Sequence, residues 1–154
     1  MGQALRATLP SDVEVHMLVG ERFEHYWPQI SLQLDFIPQF WATWWTKESI
    51  REGVLSGRFQ CWGVGDAQQI RVVTFSQIAT YPANRIFQVI LAFGEGIDEA
   101  LPALVATYEK FCFDSGCTIA EVTGRPGWSS KLSRYGFRQQ SAVLTRKLTQ
   151  LKVN

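Results

Sequence analysis

The sequence predicts an α+β protein in which a mixed central sheet carries helices on both faces. Three strand-like runs follow one another at short spacing, which is typical of an antiparallel meander. A long amphipathic helix then leads into another strand, and a helix between two strands implies a right-handed crossover that makes those strands parallel. The predicted order is β-α-α-β-β-β-α-β-α-β. The 154 residues contain no linker or repeat, so we predict one domain over residues 1–154.

The first part of the chain predicts a strand followed by two helices. The strand is Leu5 to Thr8, and Ser11 with Glu14 forms a capping box that starts a helix. The second helix begins at Pro28, a favourable first helical position, and Pro38 ends it. The apolar residues at helical spacing are Val13, Met17 and Leu18 in the first helix and Ile30, Leu34 and Ile37 in the second.

The middle of the chain predicts a short helix and the meander. Thr46 can cap a helix from Lys47 to Leu55, which Ser56 and Gly57 end. Turn residues then separate three strands. The predicted strands are Phe59 to Val64, Ile70 to Tyr81 and Arg85 to Phe93.

The last third predicts the longest helix and two more strands. The helix runs from Asp98 to Ser115 and ends at Gly116, and its apolar residues fall on one face. The remaining elements are a strand from Cys117 to Thr123, a short helix around Ser129 to Tyr135 and a final strand from Phe137 to Leu148.

Composition narrows the classes of partner. Hydrophobic residues make up 46% of the chain and charged residues 19%, as in folded globular proteins, and the net charge is +1. We therefore predict no nucleic-acid and no membrane partner. No apolar run reaches the roughly 20 residues that span a bilayer, and the first residues lack an apolar signal core. The three cysteines lack metal-ligand spacing and both histidines lie far from them, so we predict no metal site.

A glycine turn, Gly94-Glu95-Gly96-Ile97, opens the long helix. Such a turn can point bare backbone N–H groups at a phosphate, and the helix dipole favours an anion there. Glu95, Asp98 and Glu99 crowd the same place with negative charge. Two interpretations stay open: Asp98 or Glu99 caps the helix, or a nearby cation offsets the acids and a phosphate can bind. The candidate cations are Arg85, Arg125 and Lys131.

The order of elements and three local motifs resemble the GNAT-type N-acetyltransferases over nearly the whole chain. The motifs are Leu5-Arg6-Ala7-Thr8 before Pro10-Ser11-Asp12, the turn Gly94-Glu95-Gly96-Ile97, and Arg134-Tyr135-Gly136-Phe137 before the last strand. The run Gly124-Arg125-Pro126-Gly127-Trp128 followed by Tyr135-Gly136-Phe137 is similar to small GNAT-like proteins encoded in the structural-gene regions of tailed bacteriophages.

The resemblance implies an acetyl-CoA site between two parallel strands that part, here Arg85 to Phe93 and Cys117 to Thr123. The family pattern has Gln or Arg, two residues, Gly, one residue, then Gly or Ala, and this chain has Leu91 at the first position. Asp98 stands where the family prefers a small side chain. The cofactor-binding residues that the resemblance implies are Ala92, Phe93, Gly94, Gly96 and Ile97.

The catalytic groups that the resemblance implies are mostly missing. Acetyl transfer to an amine needs a base and commonly an acid for the leaving thiolate. Glu121 is a candidate base, or else a structural acid. The family's acid is a tyrosine four residues before the glycine of the Gly-Phe pair, and that position is Leu132. Tyr135 lies nearly one helical turn further on, so we expect it to pack elsewhere.

An aromatic segment between the second helix and the meander has three interpretations. Phe40 and Trp44, and Trp41 and Trp45, become neighbours on a helical turn. They can cover the core as a lid, form a contact surface for another subunit or protein, or line a pocket for an aromatic acceptor.

Two functional hypotheses follow. In the first, the chain keeps a degenerate acetyl-CoA site, has no cofactor, and is a non-catalytic phage virion or assembly component that works through a protein partner or self-association. In the second, it is an active acyl-CoA-dependent N-acetyltransferase that binds acetyl-CoA. The expected location is the cytoplasm of a bacterial host, or the virion.

Overall fold

The structure, a computed structural model, describes residues 13–65, 69–125 and 127–149, apart from the side chains of Gln39 and Phe40. The strands are β1 (Val15–Leu18), β2 (Phe59–Gly65), β3 (Ile70–Thr80), β4 (Arg85–Gly94) and β5 (Ile119–Val122). The helices are α1 (Gly20–Phe36), α2 (Lys47–Leu55), α3 (Ile97–Ser115) and α4 (Trp128–Leu132), with 3-10 turns at Gln39–Thr43 and Ser133–Tyr135.

The five strands form one sheet in the order β1-β2-β3-β4-β5. The first four strands pair antiparallel, while β4 and β5 pair parallel across the crossover helix α3. The predicted meander and the predicted parallel pair are therefore confirmed, and the mixed sheet is the α+β architecture that the sequence predicts.

Each face of the sheet carries its own core. On one face α1 and α2 bury residues such as Phe23, Ile30 and Ile50 against Phe75. On the other face α3 packs its apolar stripe against the sheet, with Phe87 at the centre of the contact. This arrangement confirms the prediction that helices lie on both faces.

A β-bulge in β4 switches the faces to which its side chains point. The register passes from Phe75 opposite Leu91 to Ser76 opposite Val89, so Ile90 is an extra residue on β4. Before the bulge, Val89 belongs to the core beneath α3. After it, Leu91 belongs to the core beneath α1 and α2. One strand thus contributes to both cores.

Local signals placed the short helix and the long helix correctly. Thr46 caps α2 in a capping box, with the Ser49 N–H donating to Thr46 Oγ1 at 3.0 Å and the Thr46 N–H donating to Ser49 Oγ at 2.8 Å. Gly116 ends α3 in the left-handed conformation with φ 73°. The short helix predicted near residue 130 is α4, which the 3-10 turn Ser133–Tyr135 continues.

The prediction for residues 13–18 was wrong. These residues give the strand β1, which pairs with β2 from Val15 opposite Val64 to Leu18 opposite Cys61. Val13, Val15 and Met17 alternate and pack against the core beneath α3, so their period is two residues and not the helical 3.6. The predicted strand Leu5 to Thr8 and the predicted cap Ser11 lie outside the described residues.

The second predicted helix begins earlier than expected. It is α1, which starts at Gly20 and carries Pro28 in its interior. Proline inside a helix removes one backbone hydrogen bond. Buried Phe23 and Tyr26 lie in the turns before Pro28 and continue the apolar face, and their packing outweighs that loss.

The predicted final strand from Phe137 to Leu148 does not form. Residues 137–149 have no regular structure, and β5 is the edge of the sheet. A strand needs a neighbour to satisfy its backbone groups, and no described segment pairs with the outer edge of β5. β5 itself is also shorter than the predicted strand from Cys117 to Thr123.

Candidate functional site

The parallel strands β4 and β5 part at Val89. Their pairing runs from Ile86 opposite Ile119 to Val89 opposite Val122, and the Thr123 N–H then donates to the Val89 carbonyl at 3.0 Å. β4 continues to Gly94 without β5 beside it. The bulge at Ile90 lies at the same point. A bulge bends and twists its strand, so it helps to separate β4 from β5. A gap therefore opens beside the second half of β4.

The glycine turn lies at the end of β4, and the backbone conformation or a close contact requires glycine at each of its two glycine positions. Gly94 has φ 121°, and a Cβ there would lie 2.0 Å from the Arg71 carbonyl oxygen. The next N–H, that of Glu95, donates to the same carbonyl at 3.0 Å. Gly96 has φ 84°, a left-handed conformation that favours glycine.

Gly96 is the N-cap residue of α3, rather than Asp98 or Glu99. Glycine has no side chain with which to bond the free N–H groups of the first turn. The first intrahelical hydrogen bond is from the Ala100 N–H to the Gly96 carbonyl at 3.1 Å. The first turn of α3 thus has N–H groups without an intrahelical partner beside the glycine turn, and anion binding there stays a prediction.

Asp98 forms an ion pair that links α3 to α4. Lys131 Nζ lies 2.8 Å from Asp98 Oδ1, and the side chains are 45% and 67% exposed respectively. Lys131 also lies over the ring of Trp128, 5.7 Å from its centroid, and Trp128 packs against Gly124. Lys131, one of the three cations considered from the sequence, thus contacts an acid at the start of α3.

A cavity of about 820 Å³ has the glycine turn in its lining. Its walls come from the ends of α1, β2 and β4 and from the starts of β3 and α3. Arg71 contributes positive charge to its lining, and Glu95 and Glu99 contribute negative charge. Glu95 and Glu99 therefore flank the turn in this cavity. Among the lining residues, neither acid forms an ion pair like that between Lys131 and Asp98.

Glu121 lies one register step before the strands part. Glu121 is opposite Gln88 in the β4–β5 pair, and Glu121 is exposed to solvent. Gln77 Nε2 donates to Gln88 Oε1 at 3.0 Å across the β3–β4 pair. Glu121 is thus the end of a polar row across three strands, which a sequence alone does not align.

Leu132 and two tyrosines, Tyr108 and Tyr135, have different surroundings in the structure. Leu132, at the position where the family has its tyrosine, is 5% exposed. Tyr135 lines a second cavity beside the outer edge of β5. Tyr108 lies on α3 and is buried against the sheet, where its hydroxyl contacts Thr74 Oγ1 on β3, and burial raises the pKa of Tyr108 well above its usual range. A phenol with a raised pKa is a poor proton donor at neutral pH.

The aromatic segment divides between core and surface. Trp41 is 5% exposed, and Trp45 packs edge-to-face on Phe59 at 5.0 Å between ring centroids. These two tryptophans act as the lid over the core. Trp44 is 50% exposed and is the one available for contact among the described side chains of the segment, since the side chain of Phe40 is outside the description.

Sequence reasoning named Lys131 among three candidate cations without placing it, and it missed Gln88. The contact from Lys131 to Asp98 joins residues 33 apart in the chain, and only the packing of α4 beside α3 brings them together. For Gln88, a signal existed: a polar residue between Phe87 and Val89 in the predicted parallel strand marks the face that neighbours Glu121.

The chain has the fold of the GNAT N-acetyltransferases. Comparison with solved structures gives a TM-score of 0.66 to a probable acetyltransferase, at 7% identity, covering 90% of this chain and 99% of that one.

Two further similar structures contain a ligand. A predicted acetyltransferase from Clostridium acetobutylicum, with acetyl-CoA, has a TM-score of 0.65 at 9% identity, covering 88% of this chain and 96% of that one. An aminoglycoside acetyltransferase from an uncultured soil metagenomic sample, in complex with sisomicin, has a TM-score of 0.63 at 10% identity, covering 89% and 97%. At these identities the likeness concerns the fold alone. No protein-family model and no curated protein matches the sequence.

A helix that spans a membrane and a cluster that holds a metal ion are two features not found in the described residues. No helix in the described part of the chain is long and apolar enough to cross a membrane. Within the same residues, no group of three or more His, Cys, Asp and Glu side chains is placed to hold a metal ion.

Proposed function

We propose that the protein is a non-catalytic member of the GNAT fold class that acts through protein–protein contacts. The observation that carries this proposal is the buried Leu132 at the position of the family's proton donor. The half of β4 that borders the gap, Ile90 to Gly94, has no side chain that can accept or donate a proton. General acid–base catalysis needs such groups within hydrogen-bond reach of the reacting atoms.

The charges around the glycine turn support a weakened acyl-CoA site. Two like charges about 5 Å apart repel by about 3 kcal/mol at an effective dielectric constant near 20. Glu95 and Glu99 lie beside the turn, and Lys131 is already paired with Asp98. The backbone donors of α3 remain, but the pyrophosphate of a CoA would meet more negative than positive charge.

Calorimetric titration of the purified protein with acetyl-CoA tests this proposal. We expect affinity weaker than micromolar and no acetyl transfer to amines. Micromolar binding, corresponding to about 8 kcal/mol, would show that the site is not degenerate.

The Asp98→Asn variant measures how much the ion pair contributes. Removing the carboxylate frees Lys131 to face an anion and removes one repulsive charge, so we expect acetyl-CoA to bind about tenfold more tightly than to the wild type, equivalent to about 1.4 kcal/mol. The pair is exposed and exposed pairs are weak, so the fold should be unaffected. Titration at low salt checks the prediction.

The matched control is Asp114→Asn, which removes the same charge near the far end of α3. It should leave binding unchanged. Equal affinities for Asp98→Asn and the wild type would mean that the obstruction is not the charge of Asp98.

We propose that the contacts serve a phage virion or its assembly, inside a bacterial host cell or in the particle. The support is the similarity of Gly124-Arg125-Pro126-Gly127-Trp128 and Tyr135-Gly136-Phe137 to the phage-encoded GNAT-like proteins. The protein should then sediment with particles or assembly intermediates from infected cells. A protein recovered only free of both would contradict this role.

An active N-acetyltransferase is the second candidate, favoured by the position of Glu121 one step before β4 and β5 part. In that function Glu121 would be the base, and the backbone at the parting would bind the thioester carbonyl. Acetyl transfer by the wild type that Glu121→Gln abolishes, while Glu109→Gln does not, would establish this candidate and overturn the first.

A further inference from the structure

Among the described residues, neither the outer edge of β5 nor the segment after the Gly-Phe corner pairs with another strand. β5 is the last strand of the sheet among the described residues, and its first three residues are exposed. An edge strand presents a row of free N–H and C=O groups that can take up another strand. Residues 137–149, which we call the C-terminal segment, supply a run without regular structure and without proline.

The C-terminal segment carries apolar side chains that its own copy does not bury. Val143 is 70% exposed, Leu144 is 93% exposed and Leu148 is 79% exposed. In an extended strand Val143 lies on one face and the two leucines on the other. A strand with apolar residues on both faces is suited to a covered position in a sheet.

The surface beside β5 offers matching apolar area. A cavity of about 800 Å³ lies between α3 and β5 and includes Tyr108 and Val122 in its lining. Phe113, at the rim, is 87% exposed, and Ile119 is 42% exposed. The start of the C-terminal segment, at Phe137 and Arg138, lines the same cavity, but the apolar residues further along it do not.

The charges of the two surfaces are complementary. The C-terminal segment has Arg138, Arg146 and Lys147 and no acidic residue. Glu109 and Glu121 line the cavity beside β5. Opposite charges across neighbouring strands stabilise pairing, whereas like charges oppose it.

We propose that two copies of this chain exchange the ends of their C-terminal segments: residues 137–140 stay beside their own β5, and each copy adds residues 141–149 to the β5 edge of the other. The exchange is reciprocal, so one two-fold axis relates the copies and both edges are closed. A second copy is the occupant we infer, because Val143, Leu144 and Leu148 stay exposed in their own chain although the segment and the cavity beside β5 carry opposite charges. This interface does not depend on the acyl-CoA site, so its failure would be separate from the calorimetric result.

The oligomeric state of the full chain tests the exchange. Sedimentation velocity at micromolar concentration should give a dimer, twice the 17.5 kDa of one chain. Leu144→Asp should give a monomer because it places a charge in the new contact. The matched control is Leu32→Asp, a leucine that is 58% exposed on α1, and it should remain dimeric. A monomeric wild type, or a dimer that Leu144→Asp does not disturb, would overturn the proposal.

Charge reversal distinguishes exchange from pairing within one chain. Arg146→Glu with Lys147→Glu gives one variant, and Glu109→Lys with Glu121→Lys gives the other. Each variant alone sets like charges against each other and should be monomeric. Mixed together they restore opposite charges at both contacts, so heterodimers should form. Failure of the mixture to dimerise would overturn the exchange.

Discussion

Replacing Phe87 with alanine is expected to lower the free energy of unfolding by about 4 kcal/mol, the range for a phenylalanine deleted from a well-packed core. Phe87 is fully buried on β4. Its ring lies 5.1 Å from that of Tyr108 and 5.6 Å from that of Phe111 between centroids, so the cavity would be walled by other rings that cannot collapse into it. Urea denaturation monitored by tryptophan fluorescence measures the loss.

Phe36→Ala is the matched control for this variant. Phe36 is 81% exposed near the end of α1, and its removal should change stability by less than about 0.5 kcal/mol. A Phe87→Ala protein as stable as the Phe36→Ala protein would show that α3 does not pack on the sheet as described.

Gly94→Ala is expected to destabilise the protein by about 3 to 5 kcal/mol. Two costs combine: a residue with a side chain at φ 121° is strained, by about 1 to 3 kcal/mol, and the new Cβ must displace backbone. The Arg71 carbonyl oxygen would lie 2.0 Å away and the Val72 Cα 2.8 Å away. Backbone of a paired strand cannot move as a side chain tip can, so overpacking adds to the strain. Thermal unfolding measures the effect.

Gly116→Ala separates the two costs. Gly116 has φ 73°, also in the left-handed region, but nothing lies within 4 Å of the added Cβ. Its replacement should cost only the conformational strain, about 1 kcal/mol. If both variants lost the same stability, the close contact between Gly94 and β3 would carry no weight.

The parts of the fold that the sequence predicts are those with local signals. The capping box at Thr46 fixes the start of α2, and the left-handed glycine at Gly116 fixes the end of α3. These signals act over a few residues, so they are visible without knowledge of the fold.

The wrong predictions concern elements whose state depends on distant partners. The run from Val13 to Leu18 contains both a helical and an alternating apolar pattern, and pairing with β2 decides for the strand. Residues 137–149 have a strand-like composition but no described partner. Tertiary context overrides local preference in the first case, and its absence prevents a strand in the second.

The candidate site was predicted in part. The sequence locates the glycine turn and the parallel strands, because both follow from local composition and element order. It gives neither the pairing of Asp98 with Lys131 nor the alignment of Glu121 with Gln88, since each joins residues on separate elements. Whether an acid near a phosphate site repels or is neutralised is therefore decided by packing, and not by the motif.

The extra residue at Ile90 shifts the register between β3 and β4 by one residue. Deleting it would leave Val89 directing its side chain towards α3 and Leu91 towards α1, as regular alternation requires, but it would remove the Ile90 side chain that packs against the core beneath α1 and α2. The local bend at the place where β5 departs would also be lost. The inserted residue therefore adds apolar packing beneath α1 and α2 as well as the bend beside the opening, so the loss of a single codon would change both together.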